Sequence, residues 1–114
     1  MSSTLVDLQE YVNSIAERFG ERDAYRYLVD GTVVSKSYNQ LKKDVFSLAA
    51  WLMKSGYHRR HIAILGGTSY EWIVSFLAIA CSNNVVIPLD KMLPKTDIYN
   101  LLDMGDVDFV FYSD

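Results

Sequence analysis

Apolar residues recur at spacings of three and four from Leu5 to Phe19 (Leu5, Leu8, Val12, Ile15, Phe19), which gathers them on one helix face. Thr4 is positioned to cap that helix, with Asp7 in the first turn where a carboxylate suits the helix dipole, and Gly20 supplies the stop. The pattern then changes to alternation. Ala24–Val29 and Thr32–Ser37 flank Asp30-Gly31, the dipeptide that a two-residue type I′ turn requires, so the segment predicts a hairpin. Its register sets Val29 opposite Thr32, Tyr27 opposite Val34 and Tyr25 opposite Lys36, on a mostly apolar face; Arg26 and Ser35 lie on the other face, with Leu28 and Val33 near the turn. The tyrosine pair reads as cross-strand packing rather than as a platform for stacking bases.

Helical spacing returns from Tyr38 to Ser55, with Tyr38, Leu41, Val45, Leu48, Ala49 and Leu52 as the buried stripe and Gly56 as the stop. Ser37 and Gln40 have the spacing of a capping box at its start. His61–Gly66 is a short β-rich run suited to a strand covered on both faces. Gly66-Gly67-Thr68 turns it into a helix from Ser69 to Ser82, apolar on most sides, for which Thr68 and Glu71 suggest a capping box. Asn83-Asn84 leads into a strand Val85–Ile87, which Pro88 is expected to end. A short helix starts at Lys95 or Thr96, turns Ile98, Leu101 and Leu102 inward and stops at Gly105; a buried strand follows over Asp108–Tyr112. Three strands joined by two helices through short connections imply right-handed crossovers and a parallel sheet. The fold class is α/β: an N-terminal helix and β-hairpin, then a three-strand parallel sheet with crossover helices.

Composition narrows the functions. Half of the 114 residues are hydrophobic and 22% are charged, enough for a packed core. The net charge of −3 gives no footprint for nucleic acid, and the one basic cluster, His58-Arg59-Arg60-His61, reads as a solvated loop. Cys81 is the only cysteine, so no disulfide within the chain is possible, and its place in an apolar helix makes it a small buried hydrophobe. Residues 1–10 lack the pattern of a signal peptide, and the longest apolar run, Trp72–Cys81, is about half of the ~20 residues a membrane span needs. These features lead to the expectation of a cytoplasmic protein without a transmembrane segment.

Little catalytic chemistry is visible. Leu65-Gly66-Gly67-Thr68 sits where a dinucleotide fold places its phosphate loop, yet neither the G-x-G-x-x-G nor the P-loop pattern is present, so it reads as a tight strand-to-helix turn. Asp90, beside Lys91, follows a strand, where α/β enzymes often keep a carboxylate; a structural loop carboxylate is the preferred reading. Asp103, Asp106 and Asp108 lack the remaining ligands of a calcium loop, and His58 and His61 lack partners at metal-ligand spacing. No catalytic, cofactor-binding or metal-binding residue is assigned.

Several short phrases, in their order and spacing, resemble the N-terminal region of AMP-forming acyl-CoA synthetases, within the adenylate-forming superfamily. They are Ser37-Tyr38-x-x-Leu41, Gly56-Tyr57, His61–Ile64, Gly66, Tyr70-Glu71-Trp72, and Val86–Lys91 followed by Leu93-Pro94. The last phrase is more similar to long-chain fatty acyl-CoA ligases than to amino-acid-activating relatives. The chain departs from the usual pattern in lacking a glycine within Tyr57–Arg60 and in having Gly67-Thr68-Ser69 before Tyr70.

The resemblance implies a parent enzyme that uses ATP and magnesium to convert a carboxylic acid, here a fatty acid, into an acyl-adenylate and then transfers the acyl group to coenzyme A. It implies that residues 1–114 are an N-terminal segment of an AMP-binding domain, truncated before the phosphate loop, non-catalytic alone and partnered by the remainder of that domain. Apolar surface left on the last strand and flanking helices leads to the expectation of a homo-dimer. Two other readings stand beside it: a small nucleotide-binding or receiver-like α/β domain using Asp90, which predicts that the chain alone binds a phosphate analogue, and a freestanding protein-interaction module.

Overall fold

The computed structural model describes residues 8–67, 69–90 and 92–112. The expected contributions of Thr4, Leu5, Asp7, Thr68 and Lys91 lie outside them. The elements run α1 (Leu8–Phe19), β1 (Asp23–Val29), β2 (Thr32–Ser37), α2 (Tyr38–Lys54), β3 (His61–Leu65), α3 (Tyr70–Cys81), β4 (Val85–Leu89), α4 (Lys95–Met104) and β5 (Phe109–Tyr112).

The hairpin takes the expected register, Tyr25 opposite Lys36, Tyr27 opposite Val34 and Val29 opposite Thr32. Asp30 and Gly31 both adopt positive φ, 50° and 80°, as the tight turn demands. Tyr25 and Tyr27 pack onto the helical core, whereas Leu28 and Val33, paired on the other face, are 69% and 61% exposed. The hairpin thus covers the helices with one face only.

Ser37 Oγ accepts the Gln40 N–H and caps α2. The reciprocal half of the expected capping box is missing, because Gln40 Nε2 donates instead to Asp44 Oδ1 at 2.8 Å. Leu41, Val45 and Ala49 meet Val12 of α1 and Tyr70, Val74 and Ala78 of α3 in one core cluster. At the chain's other end of this layer, Gln9 Nε2 of α1 donates to the Cys81 carbonyl at 2.7 Å, and Cys81 is buried as expected.

The three parallel strands lie in the order β4-β3-β5. As the central strand, β3 is covered on both faces. Ile62 and Ile64 pack with Leu52 and Ile79 under α2 and α3, while Ala63 packs with Leu89 and Ile98 on the α4 side. The two outer strands are edges and differ from the sequence expectation accordingly. Pro88 does not end β4 but stands in register opposite Ile64 within it, where an edge strand tolerates the missing N–H. β5 is half-buried rather than buried, and its Tyr112 is 74% exposed. In α4, Ile98 is buried and Leu102 half-buried, but Leu101 points outward at 37% exposure. A ten-residue helix laid on one sheet face buries a narrower stripe than all three apolar positions require. No described helix is long and apolar enough to cross a membrane.

Candidate functional site at the carboxyl edge of the sheet

Parallel strands deliver the ends of β3, β4 and β5 to one edge. The chain goes from β3 to β4 on one side and then back across to β5 on the other, so the order of connections reverses at β3/β5. Open α/β sheets form a crevice at such a point. Here a hollow of about 90 Å³ lies between Leu65 and Gly66 of the β3 end, Ser69 and Trp72 of α3, and Phe111 and Tyr112 of β5. On the other side of Gly66, a recess of about 420 Å³ runs past Gly67 and Trp72 to Pro88 and Asp90. The expected Gly66-Gly67 turn and Asp90 are therefore brought to the same edge.

The hydrogen bonds described at this edge are local to its turns. Ser69, one residue later than the sequence suggested, is the N-cap of α3: its Oγ accepts the Trp72 N–H at 3.1 Å and its carbonyl the Ile73 N–H. Two adjacent hydroxyl residues, Thr68 and Ser69, precede the helix, and the spacing to Glu71 favoured the wrong one. With Ser69 as cap, Glu71 is second in the helix rather than third, and it is exposed. Asp90 Oδ1 accepts the Met92 N–H at 2.9 Å, fastening its own turn, in line with the structural reading.

The remaining singled-out groups serve the opposite edge. Asp108 Oδ2 accepts the His61 N–H and Oδ1 lies 3.8 Å from Arg60, while His61 Nδ1 donates to the Gly105 carbonyl at 2.7 Å. Asn84, read from sequence only as a turn residue, accepts the Arg60 N–H and donates to the Tyr57 carbonyl and to Ser82 Oγ. These bonds join the amino ends of all three strands. His58 and Arg59 are exposed, and among the described residues no three His, Cys, Asp or Glu side chains gather as metal ligands do.

A polar group that sequence reasoning missed ties α2 to α3. Tyr70, only 6% exposed, donates its hydroxyl to Asp44 Oδ2 at 2.6 Å, and Gln40 holds the other oxygen. Burial first, then the bond to Asp44 and its charge, push the Tyr70 hydroxyl well above the ordinary tyrosine pKa. The signal was present: Asp44 stands three residues after Leu41 and four before Leu48, so a carboxylate lies on the apolar stripe.

Comparison with known proteins agrees with this scaffold. The sequence pattern of the family described as AMP-binding enzyme matches residues 12–114. The D-alanine--D-alanyl carrier protein ligase of Streptococcus agalactiae is 33% identical over 76 residues, 66% of this chain and 15% of that protein. Among solved structures, Klebsiella oxytoca NpsA in complex with 3-hydroxyanthranilyl-AMSN superposes with a TM-score of 0.85 at 21% identity, covering 95% of this chain and 22% of that one. The fatty acid AMP ligase from Legionella pneumophila gives 0.82 at 16% identity, covering 93% and 19%. The structural likenesses speak to the fold, that of the N-terminal domain of adenylate-forming enzymes, and the chain spans about 15% of the length of its curated relatives. On the family match, which takes in nearly the whole sequence, the chain belongs to the AMP-binding enzyme family.

Proposed function

We propose that residues 1–114 form the N-terminal scaffold segment of an adenylation domain in a cytoplasmic, ATP-dependent ligase that activates a carboxylic acid as its acyl-adenylate. The family match over residues 12–114 carries this reading. Asp90 Oδ1 accepts the Met92 N–H of its own turn, and among the described residues no three His, Cys, Asp or Glu side chains gather as metal ligands do. The role of the segment is to hold β3, β4 and β5 as the platform beside which later residues of the domain pack, so the chain alone is inactive. ATP, magnesium and the acyl acceptor belong to the whole enzyme.

The acid is a fatty acid and the acceptor coenzyme A in the first reading, supported by the phrase Pro88-Leu89-Asp90-Lys91 with Leu93-Pro94. A second reading, an amino acid passed to a carrier protein, is favoured by the 33% identity to a D-alanine carrier protein ligase. Acid-dependent exchange of pyrophosphate into ATP by the full-length protein tests both. Exchange driven by fatty acids, with coenzyme A consumed afterwards, is the expected result. Exchange driven by D-alanine alone would replace the first reading with the second. No exchange with any carboxylic acid would remove the ligase reading altogether.

A further inference from the structure

A second hollow, of about 390 Å³, lies on the helical side of the molecule between β2, α2 and α3. Its chemistry is unlike that of the sheet edge. Leu48 and Val74 supply apolar wall, while Lys36, Asp44, Glu71 and Ser75 supply polar groups. Lys36 stands over the Tyr70 ring, its ammonium 5.4 Å from the ring centroid. That ring is fixed from both sides, by the hydroxyl bond to Asp44 and by Tyr25 at 6.0 Å between centroids. Lys36 is itself held on a paired strand, opposite Tyr25.

The charges share the hollow without neutralising one another. Among the described residues the ion pairs are Arg26 with Asp23 and Arg60 with Asp108, so Lys36 pairs with neither Asp44 nor Glu71. Asp44 is satisfied by two neutral donors, Tyr70 and Gln40, which leaves its negative charge uncompensated. One ammonium and two carboxylates sum to −1 around the hollow. A simple anion would meet Lys36 but face two carboxylates. A simple cation would meet the carboxylates but face Lys36. A molecule carrying both charges on a short apolar spacer has a group of opposite sign for each of them in this lining, with Leu48 and Val74 as apolar neighbours for its methylenes.

We propose that this hollow is a binding site for a small zwitterion, an amino carboxylic acid, whose carboxylate meets Lys36 and whose ammonium meets Asp44 and Glu71. The site is distinct from the reaction proposed above and does not depend on it.

The test is titration of the full-length protein with β-alanine, followed by NMR at the amides of Tyr70, Glu71 and Ser75, alongside propionate (anion only) and propylamine (cation only). β-Alanine is expected to bind saturably, with a dissociation constant on the order of millimolar, and each single-charge analogue about tenfold or more weakly. Lys36→Met should weaken β-alanine about tenfold and Lys36→Arg less than about threefold, while Lys54→Met, an equal charge change on an exposed residue, leaves binding unchanged. Unchanged spectra fix the fold of each variant. Equal binding of propionate or propylamine, equal effects of Lys36→Met and Lys54→Met, or no saturable shift with β-alanine would each overturn the proposal.

Discussion

Replacing Tyr70 by Phe removes one oxygen and keeps the ring, so it isolates the bond that joins α2 to α3. The ring contacts with Tyr25 and Lys36 survive. What is lost is a 2.6 Å hydrogen bond to a carboxylate. Such bonds to charged groups contribute about 1.5–3 kcal/mol. Asp44 is only half-buried and keeps its bond from Gln40, so water can partly replace the hydroxyl, which points to the lower end. The expected loss is ~1.5 kcal/mol at pH 7, read by urea unfolding from the fluorescence of Trp51 and Trp72. The loss also depends on pH. Burial and the Asp44 bond raise the folded-state pKa of Tyr70 above its ordinary value of 10.0. The contribution is therefore fully present below pH 10 and drains away as pH rises beyond it, by up to ~1.4 kcal/mol per pH unit. The quantity to follow is the gap between wild type and the Tyr70→Phe variant, which should close above pH 10. A double-mutant cycle with Asp44→Asn should give a coupling of at least ~1 kcal/mol. A variant as stable as wild type, or a gap that stays constant from pH 8 to pH 11, would refute the assignment of this bond.

The parts of the fold that were legible in the sequence are those set by local chemistry. Asp30-Gly31 determines the hairpin register because its neighbours must then pair in one way, and the period of Leu41, Val45 and Ala49 can belong only to a helix face. The departures arise where burial depends on neighbours far along the chain. Val85–Ile87 and Asp108–Tyr112 read as buried strands, yet in a sheet of three only β3 has strands on both sides. Pro88 and Tyr112 are consequences of that edge position, which a run of apolar residues does not encode. The cap of α3 was displaced by one residue because Thr68 and Ser69 offer the same chemistry. At the carboxyl edge, topology brought Gly66, Gly67 and Asp90 together as the strand-helix-strand reading implied, but that Asp90 would hold the Met92 N–H of its own turn was not visible. The links that tie the layers, Asp44 with Tyr70 and Asn84 with Tyr57, span 26 and 27 residues and leave no spacing signal in any single window.

Asn84→Ala removes the acceptor for the Arg60 N–H and the donor for the Tyr57 carbonyl at a position that is 9% exposed, and should cost about 2–3 kcal/mol with faster amide exchange at Arg60. A loss below about 0.5 kcal/mol would mean that water takes over both bonds. The remaining expectation concerns self-association. Leu48 and Trp51 of α2 and Val110–Tyr112 of β5 border an open apolar groove, and β5 is an edge strand without charge or proline in Phe109–Tyr112. An edge of that composition retains its capacity to pair, and two copies related by a two-fold axis can align β5 against β5 while closing both grooves. The isolated chain should therefore form a dimer whose light-scattering mass rises with concentration, and Trp51→Lys should shift it to monomer without changing far-UV circular dichroism. A constant monomer mass across the micromolar to millimolar range, or a dimer indifferent to Trp51→Lys, would show that this groove does not drive association.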